Sequence, residues 1–478
     1  MQIQSGHGSG VHLQNHSTPV DDQVVLNRPI WDRFRCPAEF LDFRLAGELN
    51  AAPSFFHLGP DTKCYGRFLQ SMHSARSNSS LADATSWIRY DDGRLGLPFD
   101  PSEIIDNLRL ERYPGCGLGK REQALKSAYY HLRPLTNRWL RSHVQRIRAV
   151  GWQKRSFPQW PVDTTVENVG DSLLSHSMRA RDIDRVPFIW FWPRGARGCV
   201  SMTHDVETAS GRDFTGHLLD IDDSFQIKSS FHVVPEGPYA VREEYLRQIV
   251  DRGFELCVQD LNHDGRLYED RNTFLSRAAR INRYAREYNA QGFRSGVLYR
   301  RHEWLSDLEF SFDMSVPNVA PFDPQRGGCC TVFPYFIGNV LELPLTTIQD
   351  YSLFHVLRES SIDLWRLQIE IILAKSGIAT FLVHPDYIIE AEAQAAYRQL
   401  LTLLADLRER ENIWFALPGE INAWWRERDA MSIVKEGRKW RITGKGAERA
   451  VLAFATHVDG RLKYELPADE QRRVPAAH

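Results

Sequence analysis

The chain lacks the cysteine patterns that mark zinc knuckles and redox motifs. It has 478 residues and seven cysteines at irregular spacings, with no Cys-x-x-Cys pair, so a structural zinc knuckle or a thioredoxin-like site is not indicated. Cys329 and Cys330 are adjacent, and adjacent cysteines rarely bridge because their Cα atoms lie closer than a disulfide prefers. The sequence therefore predicts reduced, mostly buried thiols.

A large excess of either charge and a long apolar run are also missing. The chain has 59 basic and 61 acidic side chains and a net charge of −2, which gives no general attraction to nucleic acid or to an anionic membrane. The strongest apolar run, 186–192, ends at Pro193 and is far shorter than the roughly 20 residues that span a bilayer. The polar N-terminus is unlike a secretory signal. We therefore expect a cytoplasmic protein without a transmembrane segment or a nucleic-acid partner.

The distribution of apolar residues divides the chain into four predicted regions. These are a flexible N-terminus at 1–25, an N-terminal accessory region at 26–185, a β/α barrel at 186–430 and a C-terminal β-rich extension at 431–478. The accessory region is mixed and mostly helical, with helices expected at 102–110 and 121–150. The extension alternates at 439–443 and 450–456, and its charged end at 469–478 is expected to fray.

From about residue 186, short apolar runs alternate with helical segments. We expect strands at 199–203, 229–234, 255–258, 292–295, 309–314, 340–345, 379–383 and 413–417. We expect helices at 240–252, 273–288, 362–375, 390–411 and 419–428. This alternation predicts an α/β fold with a parallel sheet closed or nearly closed into a β/α barrel. In such a barrel the functional residues lie at the C-terminal ends of the strands.

Two acids follow the first of these strands, in the segment THDVE. If the chain stays extended, Asp205 and Glu207 point the same way, because side chains alternate with period two. One carboxylate can then bind a cation while the other acts as a base. The alternative is that either acid caps the following helix.

A glutamine and a histidine follow the strand at 255–258. Two imidazoles at 259 and 263 would make a pair of metal ligands, but only His263 is present and residue 259 is Gln. The Gln259 carbonyl oxygen can coordinate, although zinc seldom uses such a hard, neutral ligand. Asp260 and Asp264 offer replacement oxygens. The same segment is also typical of a tight turn.

Three further polar residues end or interrupt apolar runs. Arg294 can hold a carboxylate through its planar fork, or it can form a surface salt bridge. Asp313 lies among apolar residues and, if buried, needs a partner such as Arg294. His384 follows an apolar strand, where an imidazole beside a carboxylate is a good general acid; a core histidine is the alternative.

The five segments that carry these residues, taken in their order along the chain, resemble the motifs of the polysaccharide deacetylases of carbohydrate esterase family 4, which share the nodulation-type deacetylase domain. An Asp-rich first motif is matched by Thr203–Glu207, and a His-x-x-x-His motif by Gln259–His263. An Arg-x-Pro motif is matched by Arg294–Gly296, with Gly in place of Pro, and an Asp-led fourth motif by Asp313. The fifth, Leu-x-x-His-Pro, is matched by 381–385, with Phe in place of Leu. The resemblance implies a distorted β/α barrel of the polysaccharide-deacetylase type, in a diverged member.

The resemblance also implies a site for a divalent metal ion, with zinc the expected one. The second Asp of the first motif falls on Val206, and family branches with an Asp-Val-Asp variant assign its metal-binding role to Glu207. His263 matches the second motif as a metal ligand, whereas Gln259 replaces the other histidine.

The remaining motifs imply catalytic roles. Asp205 corresponds to the family's catalytic base, Arg294 to the arginine that orients the base, and His384 to the general acid; Asp313 stands for the acid of the fourth motif. Together they imply metal-assisted hydrolysis of an N-acyl group, usually an N-acetyl amide on a carbohydrate.

Two alternatives to this activity remain open at the level of sequence. Because Gln259 replaces a ligand, a degenerate barrel could bind a glycan or a protein partner without catalysis. The same machinery could also hydrolyse a non-sugar amide, including a cyclic one. The segment 315–338, rich in Pro, Gly and aromatic residues, is expected to form an active-site wall or a rigid structural loop, with Phe322 and Tyr335 as candidates for stacking on sugars.

Overall fold

The computed structural model describes most of the chain, namely residues 28–74, 81–91, 93–116, 156–458 and 461–467. The segments 1–25, 121–150 and 469–478, for which the sequence predicts a flexible start, a helix and a frayed end, lie outside these residues. Within the described ranges, no helix is both long and apolar enough to cross a lipid bilayer. All seven cysteines are free thiols and six are buried, so the expectation of reduced, mostly buried thiols is confirmed.

The described part of the N-terminal region mixes short strands with helices. Its strands are β1 (Phe43–Leu45), β2 (Ser54–His57), β3 (Lys63–Gly66), β4 (Arg89–Asp91) and β5 (Arg94–Leu97). Its helices are α1 (Arg28–Phe34), α2 (Gln70–Ser74), α3 (Pro101–Arg109) and α4 (Thr165–Ala180). The predicted helix at 102–110 is α3, which begins where the Asp100 carboxylate accepts a hydrogen bond from the Ser102 amide at 2.9 Å and caps the first turn.

The central region alternates strands and helices as the sequence predicts. Its strands are β6 (Arg185–Ile189), β7 (Gly198–Val206), β8 (Ser229–Val233), β9 (Glu255–Gln259), β10 (Gly292–Arg294), β11 (Phe312–Asp313), β12 (Tyr335–Ile337), β13 (Val340–Glu342), β14 (Ile378–Leu382) and β15 (Ile413–Phe415). Its helices are α5 (Ala209–Ser224), α6 (Glu243–Val250), α7 (Arg271–Glu287), α8 (Asp363–Ala374), α9 (Ala391–Arg410) and α10 (Pro418–Ala430). Every strand and helix expected here is present. The sequence does not predict α5, because its only large buried apolar residues are Leu218, Leu219 and Ile221.

One curled sheet forms the centre of the molecule. Its strand order is β12-β13-β11-β10-β9-β8-β7-β14, with β15 also paired to β7. Every pairing is parallel except that of β12 with β13. Between β13 and β14 the Thr346 and Thr347 hydroxyls donate to the carbonyls of Ile378 and Thr380, at 2.7 and 2.8 Å. The fold is therefore an α/β, distorted and incompletely closed barrel, which confirms the predicted fold class.

The parallel order brings the C-terminal ends of the strands to one rim. Strand β7 is buried along its whole length, and its side chains alternate between the barrel interior and the helical layer. Asp205 points into the barrel, whereas His204 points outward and lies 3.0 Å from the Asp222 carboxylate of α5. Tyr397 of α9 donates to the same carboxylate at 2.6 Å. This buried network fixes β7 against two helices and thereby fixes the direction of Asp205.

The C-terminal extension is β-rich, as expected. Its strands are β16 (Ser432–Glu436), β17 (Lys439–Thr443), β18 (Leu452–Val458) and β19 (Arg461–Glu465). Strand β18 pairs antiparallel with β19 and with β6, so the apolar run at 186–192 begins in this sheet and not in the barrel sheet. One contiguous core holds residues of all three regions, such as Phe34, Val200 and Ala453. The regions therefore stabilise one another by shared burial.

Candidate active site

A cavity of about 350 Å³ lies at the C-terminal rim of the barrel, a size that suits a small ligand or one end of a larger one. Among its lining residues are the acids Asp205 and Glu207 and the histidines His263 and His384. Aromatic and polar side chains from the loops beyond the strands complete it, among them Phe322, Asp323, Gln349, Tyr351 and Tyr387. The cavity thus contains four of the seven residues that the sequence predicts for the site.

Asp205 is paired with Arg294, which ends β10. Arg294 Nη1 donates to Asp205 Oδ1 at 2.6 Å and to Thr203 Oγ1 at 3.0 Å, and its Nε donates to the Met314 carbonyl at 3.0 Å. Both charged side chains are buried. Burial raises the pKa of Asp205, and the positive charges of Arg294 and His384 oppose that rise. The guanidinium therefore holds the carboxylate in one orientation, which is the role the motif resemblance implies.

Gln259 ends β9 and lies between the two acids. Its Nε2 donates to Asp205 Oδ2 at 3.0 Å and to Glu207 Oε1 at 2.9 Å. Its Oε1 is buried and has no hydrogen-bond partner among the described residues. Both N–H groups of the amide therefore donate hydrogen bonds to carboxylates that a cation could otherwise bridge. Rotation of the amide about its last torsion would break these two hydrogen bonds and present Oε1 to the same acids, an arrangement that a cation between the oxygens would stabilise.

Glu207 is the carboxylate that both histidines approach. His263 Nε2 lies 2.8 Å from Glu207 Oε1, and His384 Nε2 lies 3.6 Å from the same oxygen. Burial alone would raise the pKa of Glu207, but the two histidines outweigh it and hold that pKa well below its usual range. Glu207 is therefore an anion at neutral pH, as a metal ligand must be.

The structure adds Asp350, which sequence reasoning missed. Asp350 is fully buried and precedes a π-helical turn at Tyr351–Leu357. Its Oδ1 lies 2.6 Å from His384 Nδ1, and its Oδ2 accepts a hydrogen bond from the His384 backbone amide at 2.7 Å. Burial would lower the pKa of His384, but Asp350 and Glu207 outweigh burial and raise that pKa well above its usual value. An aspartate 34 residues before its histidine forms no local pattern, so no sequence signal could have identified it.

The arrangement fits a divalent metal ion. Candidate ligand atoms of Asp205, Glu207 and His384 all lie within 4.8 Å of one another, and Gln259 and His263 contact the same acids. Carboxylate oxygens and imidazole nitrogens suit zinc and other divalent first-row metals. The buried, unpartnered Oε1 of Gln259 offers a further donor.

Asp313 does not pair with Arg294, contrary to the expectation from sequence. Its register partner on β13 is Glu342, so the Asp313 carboxyl lies beside that of Glu342, and Ser315 Oγ donates to it at 2.7 Å. Burial raises the pKa of Asp313. Asp313 is absent from the described lining of the cavity. The aspartate that contacts His384, the proposed general acid, is Asp350.

The two suggested replacement ligands also have other partners. Arg277 of α7 donates two hydrogen bonds to the Asp264 carboxylate, of 2.7 and 2.8 Å. These bonds direct the carboxylate toward helix α7. Asp260 Oδ1 accepts a hydrogen bond from the Leu261 backbone amide at 2.7 Å. The cluster of candidate ligands found among the described residues contains neither of them. Its two carboxylates belong to Asp205 and Glu207.

The segment at 315–338 forms part of the cavity wall, and its two aromatic candidates differ in role. Phe322 lines the cavity and packs edge-to-face on Trp160, with ring centroids 5.2 Å apart. Tyr335 belongs to β12, is buried, and donates its hydroxyl to the Arg109 carbonyl at 3.0 Å. Only Phe322 is therefore placed to contact a ligand in this cavity.

The sequence matches no family model and no curated protein, whereas solved structures resemble the fold. One is a protein from Mycobacterium smegmatis whose name places it among the polysaccharide deacetylases, with 18% identity, coverage of 52% of this chain and 98% of that chain, and a TM-score of 0.42. PuuE allantoinase has 15% identity, coverage of 49% and 92%, and a TM-score of 0.40. A protein from Pseudomonas aeruginosa PAO1, also named as a polysaccharide deacetylase, has 13% identity, coverage of 48% and 91%, and a TM-score of 0.38.

Proposed function

We propose that this protein is a metal-dependent hydrolase of a linear amide that removes the acetyl group from an N-acetylated carbohydrate. The observation that carries the proposal is the pairing of a base and an acid across one cavity. Asp205 is oriented by Arg294 at 2.6 Å, and His384 is oriented by Asp350 at 2.6 Å. Both pairs meet at Glu207, the member of the cluster of Asp205, Glu207 and His384 that takes no part in proton transfer and is free to hold a metal ion.

The metal ion, with zinc the expected one, would be held by Glu207, His263 and Gln259. Glu207 supplies the anionic ligand and His263 the imidazole, and Gln259 supplies Oε1 after rotation of its amide. When bound, the ion supplies a Lewis acid that polarises the acyl carbonyl.

The side chains of the chain itself move the protons. Asp205 takes a proton from the attacking water, whose oxygen bonds to the acyl carbon, and Arg294 keeps this carboxylate facing the cavity. His384 gives a proton from Nε2 to the amine nitrogen as the carbon–nitrogen bond breaks, and the products are acetate and a free amine. The raised pKa of His384 keeps that proton available at neutral pH. Asp350 stabilises the charged imidazole and fixes its orientation.

A carbohydrate is the substrate that best suits the lining. Phe322, Tyr351 and Tyr387 line the cavity, and aromatic rings pack on the apolar faces of sugars. Asp323 and Gln349, joined by a hydrogen bond of 2.8 Å, present polar groups suited to hydroxyls.

A second candidate is a catalytically degenerate barrel that binds a glycan or a protein partner. Gln259 favours it, because its amide already satisfies the two carboxylates that a cation would neutralise.

Metal analysis and acetate release distinguish the two candidates. After reconstitution with Zn²⁺, Co²⁺, Ni²⁺ or Mn²⁺, the hydrolase should retain close to one ion per chain and release acetate from an N-acetylglucosamine oligomer. Asp205→Asn should abolish release, whereas Asp264→Asn, a matched change outside the cluster, should retain it. Less than about a tenth of an equivalent of every metal would refute the hydrolase.

A further inference from the structure

Two loops form part of the cavity wall, and one of them has a backbone conformation that needs support from outside. We call residues 296–300 and 318–328 the wall loops; the first carries Val297 and Leu298 into the cavity lining, and the second carries Phe322 and Asp323. Val297 and Leu298 have φ values of 61° and 53°, in the left-handed region that side chains with a Cβ rarely adopt. Such conformations persist where surrounding contacts hold them.

Glu111, from the N-terminal region just after α3, is bound by both wall loops. Arg300 donates to it through Nε, at 2.6 Å from Oε2, and through Nη2 to Oε1. The Gly328 backbone amide donates to Glu111 Oε1 at 2.6 Å. Both charged side chains are almost fully buried. Arg300 and His302 hold the pKa of Glu111 at about 2 against the effect of burial, so the carboxyl is ionised.

From this ion pair, hydrogen bonds reach the cavity lining. Arg300 Nη1 donates to the Leu298 carbonyl at 2.8 Å. The Arg300 backbone amide donates to Gln325 Oε1 at 3.1 Å, and Gln325 Nε2 donates back to the Arg300 carbonyl at 3.2 Å. Tyr113, two residues after Glu111, donates its hydroxyl to the Gly328 carbonyl at 2.6 Å. The bond to Leu298 lies within the first wall loop, the two bonds with Gln325 connect the two wall loops, and the bond from Tyr113 connects the N-terminal region to the second wall loop.

We propose that Glu111 is a positioning residue for substrate binding, through which the N-terminal region holds the wall loops and so shapes the pocket that Phe322 and Asp323 line. The identity of the occupant, an N-acetylated sugar, rests on the proposed function. The N-terminal region is thereby part of the binding site, although Glu111 does not contact the substrate.

The contacts distinguish this role from general stabilisation. A buried ion pair is a poor device for stability alone, because desolvation of two charges offsets much of their attraction. Here the hydrogen bonds accepted by Glu111 come from residues of the wall loops or close to them. The ion pair therefore specifies a loop geometry.

The test compares Glu111→Gln with Glu103→Gln. Glu103 is a matched control because it also binds an arginine, Arg67, through its carboxylate at 2.8 Å, but on the surface of α3. Glu111→Gln should speed amide hydrogen exchange of residues 296–300 and 318–328 by at least about tenfold, because it removes a charged hydrogen-bond acceptor. Exchange in the proposed metal-binding segments 203–207 and 259–263 should speed by no more than the loss of global stability that urea unfolding measures for the same variant. Glu103→Gln should leave all four segments as in the wild type.

The binding readout uses N-acetylglucosamine as the probe and the metal-loaded protein. Glu111→Gln should raise its dissociation constant by about tenfold while metal content stays the same. Unchanged exchange in the wall loops, or an unchanged dissociation constant beside a wild type that binds, would overturn the proposal. If Glu111→Gln does not fold, Tyr113→Phe should show the same changes at smaller size, and no change in that variant would also overturn it. A wild type that neither binds nor hydrolyses the probe refutes the proposed function, and the exchange comparison then decides the role of Glu111.

Discussion

Replacing Gln259 by histidine should strengthen the binding of a divalent metal ion at the proposed site. In the present structure the Gln259 amide donates to Asp205 and Glu207 at 3.0 and 2.9 Å, so it partly substitutes for a cation. An imidazole at the same strand end would offer a nitrogen ligand four residues before His263, the spacing of a familiar metal-binding pair. We therefore expect Gln259→His to bind Zn²⁺ more tightly.

The size of the effect follows from the contacts that are lost and gained. Without metal, the variant loses the two hydrogen bonds to carboxylates, and each such bond contributes about 1.5–3 kcal/mol. With metal, a gained ligand should tighten binding by at least the roughly 10–100-fold that outer-sphere changes produce. At saturating Zn²⁺ that gain adds about 1.4–2.7 kcal/mol of stabilisation. The variant should therefore be less stable than the wild type as apoprotein, and Zn²⁺ should stabilise it more than the wild type.

Two assays measure this directly, namely competition for Zn²⁺ with a chromophoric chelator and the shift in unfolding temperature on adding Zn²⁺. The control is Gln349→His, which places an imidazole in the same cavity beside Asp323 rather than beside Glu207. That control should leave the dissociation constant for Zn²⁺ close to the wild-type value. An unchanged or weaker affinity of Gln259→His for Zn²⁺ would mean that residue 259 does not face the metal, and would refute its assignment as a metal ligand.

Two further predictions concern Asp350 and Glu111. Asp350→Asn should lower kcat for acetate release by about a hundredfold or more with little change in KM, because His384 loses the anion that stabilises its charged form; an equal loss in kcat and gain in KM would contradict this role. Since the pKa of Glu111 is about 2 when folded and 4.5 in its ordinary state, its ionisation stabilises the fold above pH 4.5. That contribution, about 3 kcal/mol, is lost as the pH falls from 4.5 toward 2. Urea unfolding should thus separate wild type from Glu111→Gln near pH 7 and bring them together in acid; a gap that widens in acid would refute it.

Much of the barrel could be predicted from sequence because its signals are local. Each predicted strand is a short apolar run ended by polar residues, and each predicted helix has its own periodicity. The positions of Asp205, Gln259, Arg294 and His384 at strand ends were sufficient to place them together, because the C-terminal ends of parallel strands meet at one rim whatever the details of packing.

Residues outside that rule were not predictable. Asp313 also ends a strand, but β11 has only two residues and its partner β13 places Glu342 opposite. The Asp313 carboxyl therefore interacts with Glu342 of the neighbouring strand and does not reach the cavity. Asp350 reaches His384 from an irregular segment after β13. The predicted barrel region begins at residue 186, yet the strand there, β6, pairs with β18, more than 260 residues later. Pairings over such distances depend on which edges remain exposed after the barrel has formed.

The sequence by itself determined the order of the polar residues along the chain: two acids, a glutamine with a histidine, an arginine and a further histidine, each following its own apolar run. Tertiary structure alone decided which carboxylate supports each of these groups. It paired Arg294 with Asp205, placed Asp350 behind His384, and brought Glu111 from the N-terminal region to the wall of the cavity. The reason is physical: a strand end is set by neighbouring residues, whereas the partner of a buried charge is chosen by whichever distant group the packing leaves within hydrogen-bond reach.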